Sequence, residues 1–73
     1  MSKSIYTKVH EDIVNKLKNA REKAGLSQLE AAKKVGKTQS YISKVESGQR
    51  QIDIVELKKF AQVYKKDLKE FIN

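Results

Sequence analysis

Residues 27–48 read SQLEAAKKVGKTQSYISKVESG, and their spacing predicts two short helices joined by a tight turn. Ser27 stands just ahead of a periodic run, with Glu30 three residues on. That is a capping box: the Ser oxygen takes one orphan N–H and the Glu carboxylate takes another. Ala31, Ala32 and Val35 recur on one helical face, and two alanines in that row let a neighbouring helix come close. Gly36 falls where a helix C-terminus needs a residue in the left-handed region. Thr38 supplies the next N-cap, Ile42 and Val45 mark the inner side of the second helix, and Gly48 stops it. Two helices with a glycine at the bend make a helix-turn-helix over about residues 27–48.

At 100° per residue the second helix, Gln39 to Ser47, divides cleanly. Ile42, Val45 and Glu46 point one way; Ser40, Ser43, Lys44 and Ser47 point the other, with Gln39 and Tyr41 on the flanks. A B-form major groove admits one α-helix and presents donors and acceptors on its base edges. Gln39, Ser40, Tyr41 and Lys44 offer partners for such edges, and no carboxylate lies among them to repel phosphate. Lys37 in the turn, Ser43 and Ser47 on the helix and Arg50 in the next loop suit backbone contacts, which position a duplex without reading it. Gln28, at the first position of its helix, sits where N–H groups favour phosphate.

The residues Gly25-Leu26-Ser27-Gln28, Glu30, Ala32, Gly36, Ser40, Ile42-Ser43, Glu46 and Gly48 resemble the helix-turn-helix of the lambda repressor/Cro-like family, the xenobiotic-response-element type of bacterial and phage regulators. Leu57, Ala61 and the closing Leu68 to Ile72 are similar to that family's last two helices, so the resemblance spans roughly residues 10–72. It departs from the family at Lys37, where an apolar residue is usual, and at Lys65, where a Gly usually ends the fourth helix. The resemblance implies an all-α, compact five-helix domain that binds double-stranded DNA as a homodimer on inverted repeats. It also implies a DNA-backbone clamp at Gln28 and an ion pair between Arg21 on the first helix and Glu46.

The rest of the chain fits one small domain spanning residues 1–73, with a formal charge of +7 and no cysteine or proline. That balance suits a polyanionic partner. The helix-turn-helix third, residues 25–52, carries five basic and two acidic side chains, while residues 1–24 carry six and three, so charge alone does not locate a site. A first helix is expected from about Lys8 to Ala24, capped by Thr7, with a buried stripe of Val9, Ile13, Leu17, Ala20 and Ala24. Ile5 and Tyr6 are candidates to fold back onto the core. Asp53 and Glu56 form a second capping box, opening a helix whose inner face is Leu57, Phe60, Ala61 and Tyr64. Asp67 caps a last short helix through Phe71. Phe71 and Ile72 lie about 100° apart on it and cannot both point inward, which leaves one, Ile72 before Phe71, for a dimer contact.

No stretch reaches the ~20 apolar residues of a membrane span, and the N-terminus lacks the apolar core of a signal peptide. The expectation is a cytoplasmic protein. His10 has no Cys or second His beside it for a metal, and no nucleophile–base pair or phosphate-cradling Gly loop is present, so neither cofactor nor enzyme activity is expected. The expected function is a sequence-specific repressor. An antitoxin-type autoregulator and a protein–protein adaptor of the transcription machinery are the alternatives, the first needing an additional toxin-binding surface. A basic amphipathic domain on a membrane surface is disfavoured by the absence of Trp.

Overall fold

Glycine and capping residues divide the chain into helices at the expected places. A computed structural model describes residues 8–72, and the elements run α1 Lys8–Lys23, α2 Gln28–Val35, α3 Gln39–Glu46, α4 Ile54–Tyr64 and α5 Lys69–Ile72. Ser27 and Asp53 each close a full capping box, with Glu30 and Glu56 as the reciprocal partners. Thr38 caps α3 through the Tyr41 N–H. Gly36 ends α2 at φ 77°, a left-handed conformation that costs an L side chain about 1–2 kcal/mol. The Thr7 cap and the Ile5–Tyr6 fold-back lie outside the described residues.

These short helices enclose one core. Leu17 from α1, Ile42 and Val45 from α3 are its most deeply buried large side chains, joined by Leu57, Phe60, Ala61 and Tyr64 from α4 and Phe71 from α5. Ala31 and Ala32 are completely buried, and their small size is what lets α2 lie close against its neighbours. Leu26 and Ile52, from the turns before α2 and before α4, pack against the rim of this cluster. No helix among the described residues is long and apolar enough to cross a membrane.

The α1 stripe is rotated from its expected line. Leu17 and Ala20 are buried, but Val9 is 67% exposed and Ala24 is exposed, while Val14 and Arg21 are buried in their place. Val9 lies about 80° around the helix from Leu17 at 100° per residue, near the edge of the inward arc. Ala24 falls beyond the last helical residue, in the turn where the Leu26 N–H returns to the Arg21 carbonyl. At the other end, Phe71 is only 2% exposed and packs in the core, so it is removed from the expected dimer contacts. Ile72, one step of about 100° further round, is 52% exposed. The Asp67 N–H donates to Glu70 at 3.2 Å, and α5 starts at Lys69.

Lys65 ends α4 at φ 58°, ψ 48°, the only non-glycine residue with positive φ among the described residues. Its N–H and that of Lys66 return to the last turn of α4, on Gln62 and Ala61. Glycine is therefore preferred here over alanine, the reverse of the order inside a helix. Lys65→Gly is expected to exceed Lys65→Ala in stability by about 1 kcal/mol by urea unfolding. Equal midpoints would show that the left-handed turn carries no strain.

Candidate nucleic-acid interface

The inner side of α3 is held by a carboxylate. Glu46 ends the helix beside the apolar residues Ile42 and Val45, where an unpaired charge would be costly. Arg21 on α1 meets it with a two-pronged bond: Nε donates to Oε2 at 2.7 Å and NH2 to Oε1 at 3.1 Å. The two side chains are 10% and 6% exposed. Arg21 NH1 also donates to the Leu26 carbonyl at 2.7 Å, and Gln28 Nε2 to Glu46 Oε1 at 3.1 Å. The Glu46 hydrogen bond, opposed by burial, raises the Arg21 pKa above its ordinary value, so the guanidinium stays charged. One carboxylate thus ties together α1, the start of α2 and α3.

The outer side of α3 is an open polar row. Gln39, Ser40, Ser43, Lys44 and Ser47 are all exposed, and α3 carries no acidic residue in its first turn. The Ser47 hydroxyl donates to the Lys44 carbonyl at 3.2 Å. Lys37 is exposed in the preceding turn, and Gln28 is half-buried through its bond to Glu46.

Tyr41 does not join this row. Its ring lies nearly parallel to Phe60, with centroids 6.1 Å apart, and Phe60 in turn meets Tyr64 at 5.7 Å. Its hydroxyl donates to Glu56 Oε2 at 3.0 Å. Burial, reinforced by the Glu56 bond, pushes the Tyr41 pKa up to about 12, which keeps the hydroxyl a donor at neutral pH. The side chain expected to meet a base therefore packs back on α4, because burying its ring against Phe60 outweighs leaving it in solvent. Arg50, expected as a DNA-backbone contact, also donates to Glu56 Oε2, at 2.7 Å. Burial of the Glu56 carboxyl, which alone would raise its pKa, is outweighed by hydrogen bonds from Arg50, the Asp53 N–H and Tyr41, and the net shift is downward.

Glu56 is the residue whose wider role the sequence concealed. Its place in the Asp53 capping box is legible and occupies Oε1, on the Asp53 N–H at 3.0 Å. The second oxygen serves Tyr41 and Arg50, which stand 15 and 6 residues away, a meeting set by how α4 crosses α3. An acidic residue in a cap, close in sequence to a loop arginine, is the only signal that pointed there.

The Arg21–Glu46 geometry makes a stability prediction. Glu46→Ala strands a buried guanidinium and is expected to cost about 3–5 kcal/mol in urea unfolding. Adding Arg21→Met should recover much of that loss, because the unpaired charge goes with it. Strictly additive losses would show that the two side chains are not energetically coupled.

A family model described as helix-turn-helix matches residues 17–71, which include the whole of α2 to α4. No curated protein matches the chain. The match covers more than half of the chain, together with both capping boxes, the turn glycine and the polar outer row of α3. The chain belongs to the lambda repressor/Cro-like helix-turn-helix family, of the xenobiotic-response-element type, a family of DNA-binding transcription regulators.

Proposed function

We propose that the chain represses transcription by occupying an inverted-repeat operator as a homodimer, with α3 in the major groove of each half-site. The observation that carries this reading is the outer row of α3, exposed, rich in amide, hydroxyl and ammonium groups, and without a carboxylate. In this reading Gln39 and Lys44 reach base edges, Gln to adenine N6 and N7 and Lys to guanine O6 or N7, with Ser40 beside them. Gln28, Lys37, Ser43, Ser47 and Arg50 contact phosphate and set the register. Gln28 is held for that task by Glu46, which occupies one of its amide donors and limits its rotamers.

For the twofold contact we assign the end of α5. Ile72 and Val9, both more than half exposed, border a shallow hollow of about 120 Å³ with Ile13 and Phe71, and Asp12 and Lys16 complete its rim. Apolar side chains gathered at one place suit a protein contact better than solvent. A twofold pair sets two α3 helices on successive turns of one duplex face.

Selection from random duplex DNA tests the whole reading. The recovered sites are expected to be inverted repeats with half-sites about 34 Å apart. Gln39→Ala and Lys44→Ala should each relax the preference at one base pair, at a cost of about 1–3 kcal/mol. Lys37→Ala should weaken all sequences alike and flatten the slope of log K against log salt by about one. Recovery of no preferred sequence would sink the specific-repressor reading.

The dimer has its own check. Ile72→Asp is expected to abolish self-association in sedimentation and cooperative binding to a two-half-site operator. If both survive the substitution, the contact lies on another face.

A further inference from the structure

Three side chains from separate parts of the chain meet beside α3. Glu56, in the first turn of α4, accepts from Arg50 NH2 at 2.7 Å and from the Tyr41 hydroxyl at 3.0 Å on a single oxygen. The Tyr41 ring centroid lies 4.9 Å from the Arg50 guanidinium carbon and 5.3 Å from the Lys37 ammonium. Both are within the range of a cation–π attraction. Lys37 comes from the turn before α3 and Arg50 from the loop after it. One aromatic ring therefore gathers the two cations that flank the recognition helix, and one carboxylate fixes both the ring and the arginine.

Long cationic side chains on short loops lose much rotamer freedom when they grip a ligand. Here the ring and the carboxylate impose that order beforehand. Arginine presents five N–H donors in a fixed fork, and the bond to Glu56 occupies only a small part of it. Donors beyond those engaged by Glu56 and Tyr41 can meet a phosphate oxygen in a geometry that a mobile arginine would reach seldom.

We propose that Tyr41 and Glu56 form a positioning unit that holds Lys37 and Arg50 as a single two-cation phosphate clamp beside α3. Neither Tyr41 nor Glu56 touches the DNA in this arrangement; both act through the cations they hold. The clamp presupposes the duplex binding proposed above and adds to it the residues that set the clamp's geometry.

Simple charge reasoning gives the opposite sign for Glu56, and that makes the idea testable. A carboxylate near bound phosphate repels it, so removing the charge alone should tighten binding. A positioning carboxylate should weaken binding when it is removed. Glu56→Gln is the suitable change because Gln also serves at this position of a capping box, so the start of α4 is kept.

Affinity for a random-sequence duplex of about 20 base pairs, two helical turns, is measured across a salt series. The chains compared are wild type, Glu56→Gln, Arg50→Ala and the double variant, each with its urea midpoint recorded. Glu56→Gln is expected to weaken binding about five-fold at fixed salt and to flatten the salt slope by about one. In the Arg50→Ala background it should weaken binding by clearly less than in the wild type, since the cation that Glu56 holds directly is gone. Unchanged or tighter binding by Glu56→Gln, or full weakening in the Arg50→Ala background, overturns the clamp.

A measurement on the wild-type chain without DNA stands apart from any folding defect of the variants. The Arg50 Nε–H order parameter by NMR relaxation should lie above about 0.6; a lower value, that of a flexible group, overturns the pre-ordering. Wild-type chain that binds no duplex would sink both the clamp and the DNA-binding reading. Wild-type chain that binds while Glu56→Gln is unaffected sinks the clamp alone.

Discussion

The buried two-pronged bond between Arg21 and Glu46 is the interaction on which the rest of the structure depends. Apolar burial supplies most of the driving force for a core of this size, but it is non-directional. Ile42 and Val45 bury α3 without fixing its rotation tightly, since a small roll still leaves both in contact with Leu17 and the α4 face. A guanidinium–carboxylate fork tolerates little roll, because both N–H to oxygen bonds must stay near 3 Å. The net free energy of such a buried pair is modest, since taking two charges out of water offsets most of their attraction. Its consequence is geometric: with Glu46 pinned inward, Gln39, Ser40, Ser43 and Lys44 are left facing out.

The same fork reaches the adjoining elements. Arg21 holds the Leu26 carbonyl in the turn before α2, and Glu46 accepts from Gln28 in that helix's first turn. The orientation of α3 and that of a residue we assign to the DNA backbone are therefore coupled through one carboxylate. This also explains why α1 buries Arg21 at the expense of an apolar line. Its rotation places Val14, Leu17 and Ala20 inward and leaves Val9 at the margin, beside Ile72.

Acidic groups around the helix-turn-helix follow one pattern. Glu30 reaches the Ser27 N–H at 2.8 Å, Glu46 faces Arg21 and Gln28, and Glu56 faces Arg50, Tyr41 and the Asp53 N–H. Each carboxylate is satisfied by donors within the fold, which lowers the negative potential it presents outward. The exposed lysines Lys33, Lys34, Lys37 and Lys44 then dominate the field over this third of the chain. A polyanion responds to the local field of exposed charges and not to the formal surplus, which here is no larger than that of the N-terminal third.

What was legible in the sequence is what local physics decides. Ser27 with Glu30, Asp53 with Glu56, Thr38, Gly36 and Gly48 locate helix ends because caps and left-handed turns involve only a few consecutive residues. The inner face of α4 and the polar row of α3 follow from helical periodicity, which needs no knowledge of the partner surface. Tertiary structure alone decided which part of a broad apolar arc on α1 faces in, since Val9 and Val14 are equally apolar, yet Val14 is buried and Val9 is exposed. It alone turned Tyr41 from the reading row onto Phe60 and joined it with Arg50 at Glu56. Those contacts span separate helices, and a side chain on the flank of a helix goes wherever a neighbouring surface offers burial and a hydrogen-bond partner.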